Sequence, residues 1–199
     1  SEMEAAKANG IEPVEWIVGY DALAIYVHKD NPIESISLAQ LADIYGQDGE
    51  TTTWAQLGIE IPGLSEDKII RVSRQNNSGT YAYFRKAVLG KQGSYKLGAL
   101  ALHGSKDVVE QCAVTKGAIG YSGLAYATDH VRLVPVVDGE GQPVIPTVVT
   151  AADGSYPIAR PLFMYTAGQP EGDVKNYLDW ILSTSGQDII KEKGYAPAK

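Results

Sequence analysis

Seven consecutive residues, Arg74-Gln75-Asn76-Asn77-Ser78-Gly79-Thr80, bring a guanidinium, two hydroxyls and a glycine close together in the chain. A guanidinium is a planar fork that pairs with two oxygens of an oxyanion. Hydroxyl donors rotate to fit, and glycine lets the backbone approach closely. The chemistry these residue types could do together is the binding of a tetrahedral oxyanion.

The elements around them must position that set. Residues 68–73 read as an apolar strand. Residues 81–89 put Tyr81, Phe84 and Val88 at helical spacing. Ser78 therefore falls at an N-cap position, where unpaired backbone N–H groups and a partial positive charge face outward. Capping alone would account for Ser78-Gly79-Thr80 as well as anion binding does, and both readings stand at this point. A nucleotide P-loop is excluded, because no lysine follows Gly79.

The 199 residues are 44% hydrophobic and 21% charged, enough for one good core or two small lobes. A net charge of −7 argues against a nucleic-acid partner, which calls for a basic face. An anion binder of this charge must rely on local donors. The single cysteine, Cys112, allows no internal disulfide and reads as a buried thiol on a helix. His28, His103 and His130 lack metal-ligand spacing, and Ser78 is not in a nucleophile elbow. No enzyme, metal or cofactor is expected. No apolar run approaches the ~20 residues of a membrane span.

Along the chain, residues 3–9 read as a helix, and residues 15–19 and 22–28 as two strands. Ser37 and Gln40 form a capping box before a helix carrying Leu38, Leu41, Ala42 and Tyr45. Ser105 is expected to cap a helix that carries Val108, Val109 and Cys112. Strands are expected at 117–121, 131–137 and 161–166, with a polar excursion at 139–155. Helices follow at 173–182, with Val174, Tyr177, Leu178, Ile181 and Leu182 facing a core, and at 185–193. Trp16, Trp54 and Trp180 read as core. His28 reads as solvated or near a hinge. Tyr20, Tyr26, Tyr121 and Tyr165 read as half-buried packing residues with wet hydroxyls, a cleft-lining role being open for Tyr20 and Tyr121.

Several segments together resemble the phosphate-binding proteins of bacterial phosphate ABC transporters (PstS-like). They are residues 18–27, 38–46 with 53–58, 74–80, 117–121, Tyr156-Pro157-Ile158-Ala159-Arg160-Pro161-Leu162, and Ser185-Gly186-Gln187 with Lys193-Gly194-Tyr195. The resemblance implies an α/β, two-lobed type II periplasmic binding-protein fold, with mixed sheets flanked by helices and the anion held in an interlobe cleft. Residues 1–31 and 125–199 would form the first lobe and 32–124 the second, with hinges at 27–31 and 120–125. The family carries a further N-terminal segment with no counterpart here, so the first lobe is expected to be incomplete. That segment supplies an anion-contacting turn and an acidic residue that takes a proton from phosphate. The chain reads as a fragment, or else another polypeptide completes the lobe. Self-association or a missing-segment partner would cover the sheet left open.

By the same resemblance, Arg74, Ser78, Gly79 and Thr80 carry over as ligand contacts. The implied function is non-catalytic binding of inorganic phosphate for delivery to an inner-membrane permease, in the periplasm or another extracytoplasmic space. Open alternatives are a binding or sensing module for another oxyanion, and a phosphate-ester hydrolase using Ser78.

Overall fold

The computed structural model describes residues 2–198. After a short helix, α1 (Glu2–Ala8), comes the organising element, β1 (Pro13–His28). It is one strand of 16 residues where two runs were expected. Gly19, Tyr20 and Asp21 do not break it, because they pair with Leu162, Pro161 and Arg160 of β9 (Ala159–Ala167). A register shift between Ile17 and Gly19 absorbs one extra residue, as a bulge does.

The two halves of β1 serve different neighbours. Residues 13–22 pair with β9, and Gly19 and Tyr20 also meet β10 (Ala196–Pro197). Residues 23–28 pair antiparallel with β5 (Ala118–Gly123) and β6 (Val131–Val134). Beyond β5 lie β3 (Ile70–Arg74) and β4 (Leu100–Leu102), both parallel to it in direction. The order is β10-β1-β5-β3-β4, with β6 and β9 also on β1. Residues 23–28 and β6 thus share the sheet of β3–β5, although the sequence placed both with the opposite lobe. Within this sheet β1 changes neighbours near Ala22–Leu23, ahead of the hinge expected at 27–31.

Residues 22–27 are fully buried because both faces of this half are covered, which suits a continuous apolar run. Leu23, Ile25 and Val27 enter one core with Leu41, Ile44, Trp54, Phe84 and Ile119. Ala24 and Tyr26 enter the other with Val72, Val108, Val109 and Cys112. Cys112 is buried as expected, and burial pushes its thiol up to about 12.

The helices follow local signals with some corrections. Before α2 (Leu38–Tyr45), the Ser37 and Gln40 side chains each bond the other's backbone N–H. The helix after Ser78 is regular only as α3 (Gly79–Phe84); residues 85–89 widen into a π turn. Gly104, not Ser105, caps α4 (Ser105–Val114), its N–H donating to Asp107 Oδ2. A small sheet joins β2 (Ile36–Ser37), β7 (Val136–Val137) and β8 (Pro143–Val144), with Pro135 separating β6 from β7. The excursion at 139–155 is the β7–β8 hairpin followed by α5 (Val148–Ala152).

On α6 (Gly172–Leu182) only Leu178 is buried, and α7 (Thr184–Glu192) packs beside it. Val174, Tyr177, Trp180 and Leu182 are exposed, which corrects their reading as core. The spacing identified an apolar face correctly, but nothing among the described residues covers it. Trp54 is core as expected, while Trp16 is half-buried and donates to Thr166 Oγ1 at 3.0 Å. His28 is buried rather than solvated, its Nδ1 accepting from the Asp30 N–H. Tyr26 and Tyr121 are wholly buried, and their hydroxyls are spent on protein groups. Tyr165 is about half exposed and donates to Glu15.

Candidate functional site

β3 and β4 run parallel, and each is followed by a helix, α3 or α4. Both helices therefore start at the carboxyl ends of these strands, where open α/β sheets bind ligands. Arg74 is the last residue of β3. Its Nε donates to His103 O at 3.1 Å and its Nη1 to Ser105 Oγ at 2.6 Å. Ser105 is the first residue inside α4 rather than its cap, so its hydroxyl is available to accept. These two bonds hold the guanidinium at the start of α4 and leave Nη2 uncommitted to either partner.

The loop after Arg74 is tightly built. Gln75 N–H donates to Leu102 O and Ser78 N–H to Gln75 O, both at 3.0 Å. Ser78 has extended backbone angles, and its Oγ accepts from the N–H of Thr80 at 3.1 Å and of Tyr81 at 3.4 Å. With its lone pairs so engaged, the hydroxyl proton is left to donate. Gly79, the first helical residue, has no intrahelical acceptor for its N–H. Thr80 is buried with Phe84 against the core.

A cavity of about 600 Å³ opens beside this loop, lined among others by Arg74, Asn76, Asn77, Tyr81, Arg85 and Lys96. Arg74 reaches its wall, whereas Ser78, Gly79 and Thr80 lie outside it. Behind the cavity, Tyr121 is sealed: its hydroxyl meets Ser73 Oγ at 2.7 Å and Tyr95 OH at 2.9 Å, and Phe84 stacks on its ring. Burial raises its phenol above the ordinary value, so it stays a neutral packing group. The cleft-lining role left open for Tyr121 is not what this geometry gives.

A second guanidinium, from Arg160, approaches the loop from β9. It pairs with Asp21 Oδ2 through Nη2 at 2.9 Å and Nε at 3.2 Å, and its Nη1 donates to Gly79 O at 3.2 Å. Burial raises the Asp21 carboxyl, and the Arg160 charge opposes the shift. Arg160 stands in the family-like segment 156–162, where its sequence neighbours reveal no role for it. Its partner lies 139 residues away, so only the β1–β9 register reveals the pair. His103 and Ser105, which hold Arg74, were missed for the same reason. Among the described residues no group of His, Cys, Asp or Glu could hold a metal ion. No helix there is long and apolar enough to cross a membrane.

Comparison with known proteins gives this geometry a family. Protein SphX of Synechococcus elongatus is 34% identical over 205 residues, covering 98% of this chain and 59% of the relative. Phosphate-binding protein PstS of Pseudomonas aeruginosa is 32% identical over 200 residues, covering 94% and 61%. The chain thus spans about three fifths of the length of these relatives. Among solved structures, a Clostridium perfringens protein with bound phosphate superposes with a TM-score of 0.78 at 29% identity, covering 98% of this chain and 75% of that one. PstS from Borrelia burgdorferi gives 0.73 at 26% identity, covering 94% and 73%. A profile of the PBP superfamily domain matches residues 1–185. The mixed α/β architecture, the strand-to-helix loop and these matches agree: the chain belongs to the PBP superfamily.

Proposed function

We propose that this chain is a non-catalytic binder of inorganic phosphate that hands its ligand to the permease of an ABC transporter, working in the periplasm or another extracytoplasmic space. The observation that carries the reading is the loop from Arg74 to Thr80, set at the carboxyl ends of two parallel strands. Its support is that relatives with matching chains are phosphate-binding proteins.

In this reading Arg74 supplies charge-assisted bonds through the nitrogen that His103 and Ser105 leave uncommitted. The Ser78 and Thr80 hydroxyls and the N–H of Gly79 satisfy further oxygens. The lobe boundary falls near Ala22–Leu23 in β1 and between β6 and β9 on the return. Closure about these points would exclude water and strengthen every bond to the anion. Hydrolysis through Ser78 finds no support, because its Oγ is occupied as a helix cap.

Isothermal titration calorimetry with phosphate, beside sulfate, tests the reading. Losing a charged hydrogen bond costs about 1.5–3 kcal/mol, so Arg74→Ala should weaken phosphate binding about 10- to 150-fold. Thr80→Ala should cost less, since it removes a neutral donor. Equal losses from the two substitutions, or equal heats from sulfate and phosphate, would count against it.

A further inference from the structure

We infer that Arg160 is a positioning residue for the anion loop: anchored on the Asp21 carboxylate, it ties the Gly79 carbonyl, and with it the first turn of α3, to the β1–β9 pair. The functional consequence rests on the phosphate reading above; the tie itself rests on geometry.

Asp21 and Arg160 stand directly opposite each other on β1 and β9. Two guanidinium nitrogens converge on one oxygen of a carboxylate whose side chain is only 6% exposed. A fork held at two points cannot swing, so its third nitrogen is fixed in space, and it donates to Gly79 O. One helical turn further, the Tyr83 ring lies under the same guanidinium, 5.3 Å from its centroid. The Tyr83 hydroxyl donates to Ala159 O, on the residue before Arg160. Residues 79 and 83 lie on one face of α3. That face is therefore fastened to two consecutive residues of β9, while α3 itself follows β3 in the other half of the sheet.

The tie reaches the ligand donors through one rigid peptide. Gly79 C=O and Thr80 N–H belong to the same planar unit, so fixing one end fixes the other. Thr80 N–H donates to Ser78 Oγ. The chain of groups runs from the Asp21 carboxylate through the Arg160 guanidinium and the Gly79–Thr80 peptide to the Ser78 hydroxyl. A cation on the carbonyl polarises that peptide and strengthens its N–H as a donor. Ser78 Oγ, accepting it, becomes a stronger donor in turn. The loop is thus both aimed and polarised toward an anion.

The test compares the full chain with Arg160→Lys, Asp21→Asn and the double variant. A lysine keeps a charge beside Asp21 but cannot hold two partners in a fixed fork. Asp21→Asn is near-isosteric and keeps the test open if the lysine variant folds poorly. Amide hydrogen exchange is read without ligand, and phosphate affinity by calorimetry. The Thr80 and Tyr81 amides should exchange about tenfold faster in either single variant, the scale of one charged hydrogen bond, with the α4 amides unchanged. Phosphate affinity should fall by a similar factor, and the double variant should be no worse than the weaker single. Uniform acceleration that includes α4 would show a merely structural role and overturn the inference; so would unchanged protection at Thr80 and Tyr81. If the unaltered chain gives no phosphate heat, the phosphate reading fails, while the exchange data still decide the tie.

Discussion

Gly120→Ala offers a sharp test of how the site is supported. Gly120 lies in β5 between Val72 of β3 and Tyr26 of β1. A Cβ added there would stand 2.7 Å from Cys112 Sγ, 2.9 Å from Val108 Cγ1 and 3.3 Å from Val72 Cβ. All three neighbours are wholly buried, so none can swing aside into solvent. Overpacking of this kind costs about 1–3 kcal/mol, and two contacts under 3 Å place this case in the upper half of that range. For a chain of this length that corresponds to a fall in melting temperature of about 5–10 °C. Cys112→Ala removes the nearest offending atom. The double variant should therefore be more stable than the sum of the singles predicts, by about 1 kcal/mol in a double-mutant cycle. Denaturant titration of the four proteins measures this. A neutral Gly120→Ala, or singles that add within about 0.5 kcal/mol, would refute the reasoning. The consequence for the site is direct, because the helix that rests on Gly120 begins with Ser105, the residue that holds Arg74.

Asp43 accepts the Thr51 hydroxyl and the backbone N–H groups of Glu50 and Thr51, and the Thr51 hydroxyl chiefly holds its carboxyl below the ordinary value. The unfolded chain then binds the proton first, so this contribution is fully present above the ordinary carboxylate value and lost as pH falls through the folded one. Asp43→Asn should flatten the acid limb of stability in urea titrations; an unchanged limb would contradict this. The exposed apolar side chains Ile17, Phe163, Val174, Tyr177 and Trp180 should drive concentration-dependent association of the chain, read by sedimentation, and a clean monomer at all concentrations would speak against it. Because the net charge is −7, added salt should leave phosphate association unchanged or slightly faster in stopped flow; a steep slowing would reveal long-range attraction that the local-donor argument denies.

What was legible in the sequence was local. The Ser37–Gln40 box and the Ser78 cap each depend on neighbours within one helical turn, and each is found; the burial of Cys112 followed from the apolar face it shares with Val108 and Val109. The unity of β1 was not legible, because a glycine and an aspartate one residue apart, as in Gly19-Tyr20-Asp21, usually mark a turn. Here a bulge and a partner strand far along the chain keep residues 19–21 extended. The Arg160–Asp21 pair and the Ser105 hold on Arg74 are tertiary facts of the same kind. The apolar stripe of α6 shows another limit. Periodicity states which face is apolar, not whether anything covers it.

The charge balance of the site follows from these contacts. An acidic chain gains nothing from its overall field when it meets an anion, and beyond about 8 Å that field is screened at physiological salt. The attraction must come from groups whose own charges are not cancelled nearby. Arg160 is paired with Asp21, so it acts on the loop through its short-range contacts with the Gly79 carbonyl and the Tyr83 ring. Arg74 is different: a carbonyl and a hydroxyl hold it, and neither carries a formal charge. Its full positive charge therefore remains available at the end of β3. The two arginines divide the work, one keeping its charge for the ligand and the other spending it on geometry.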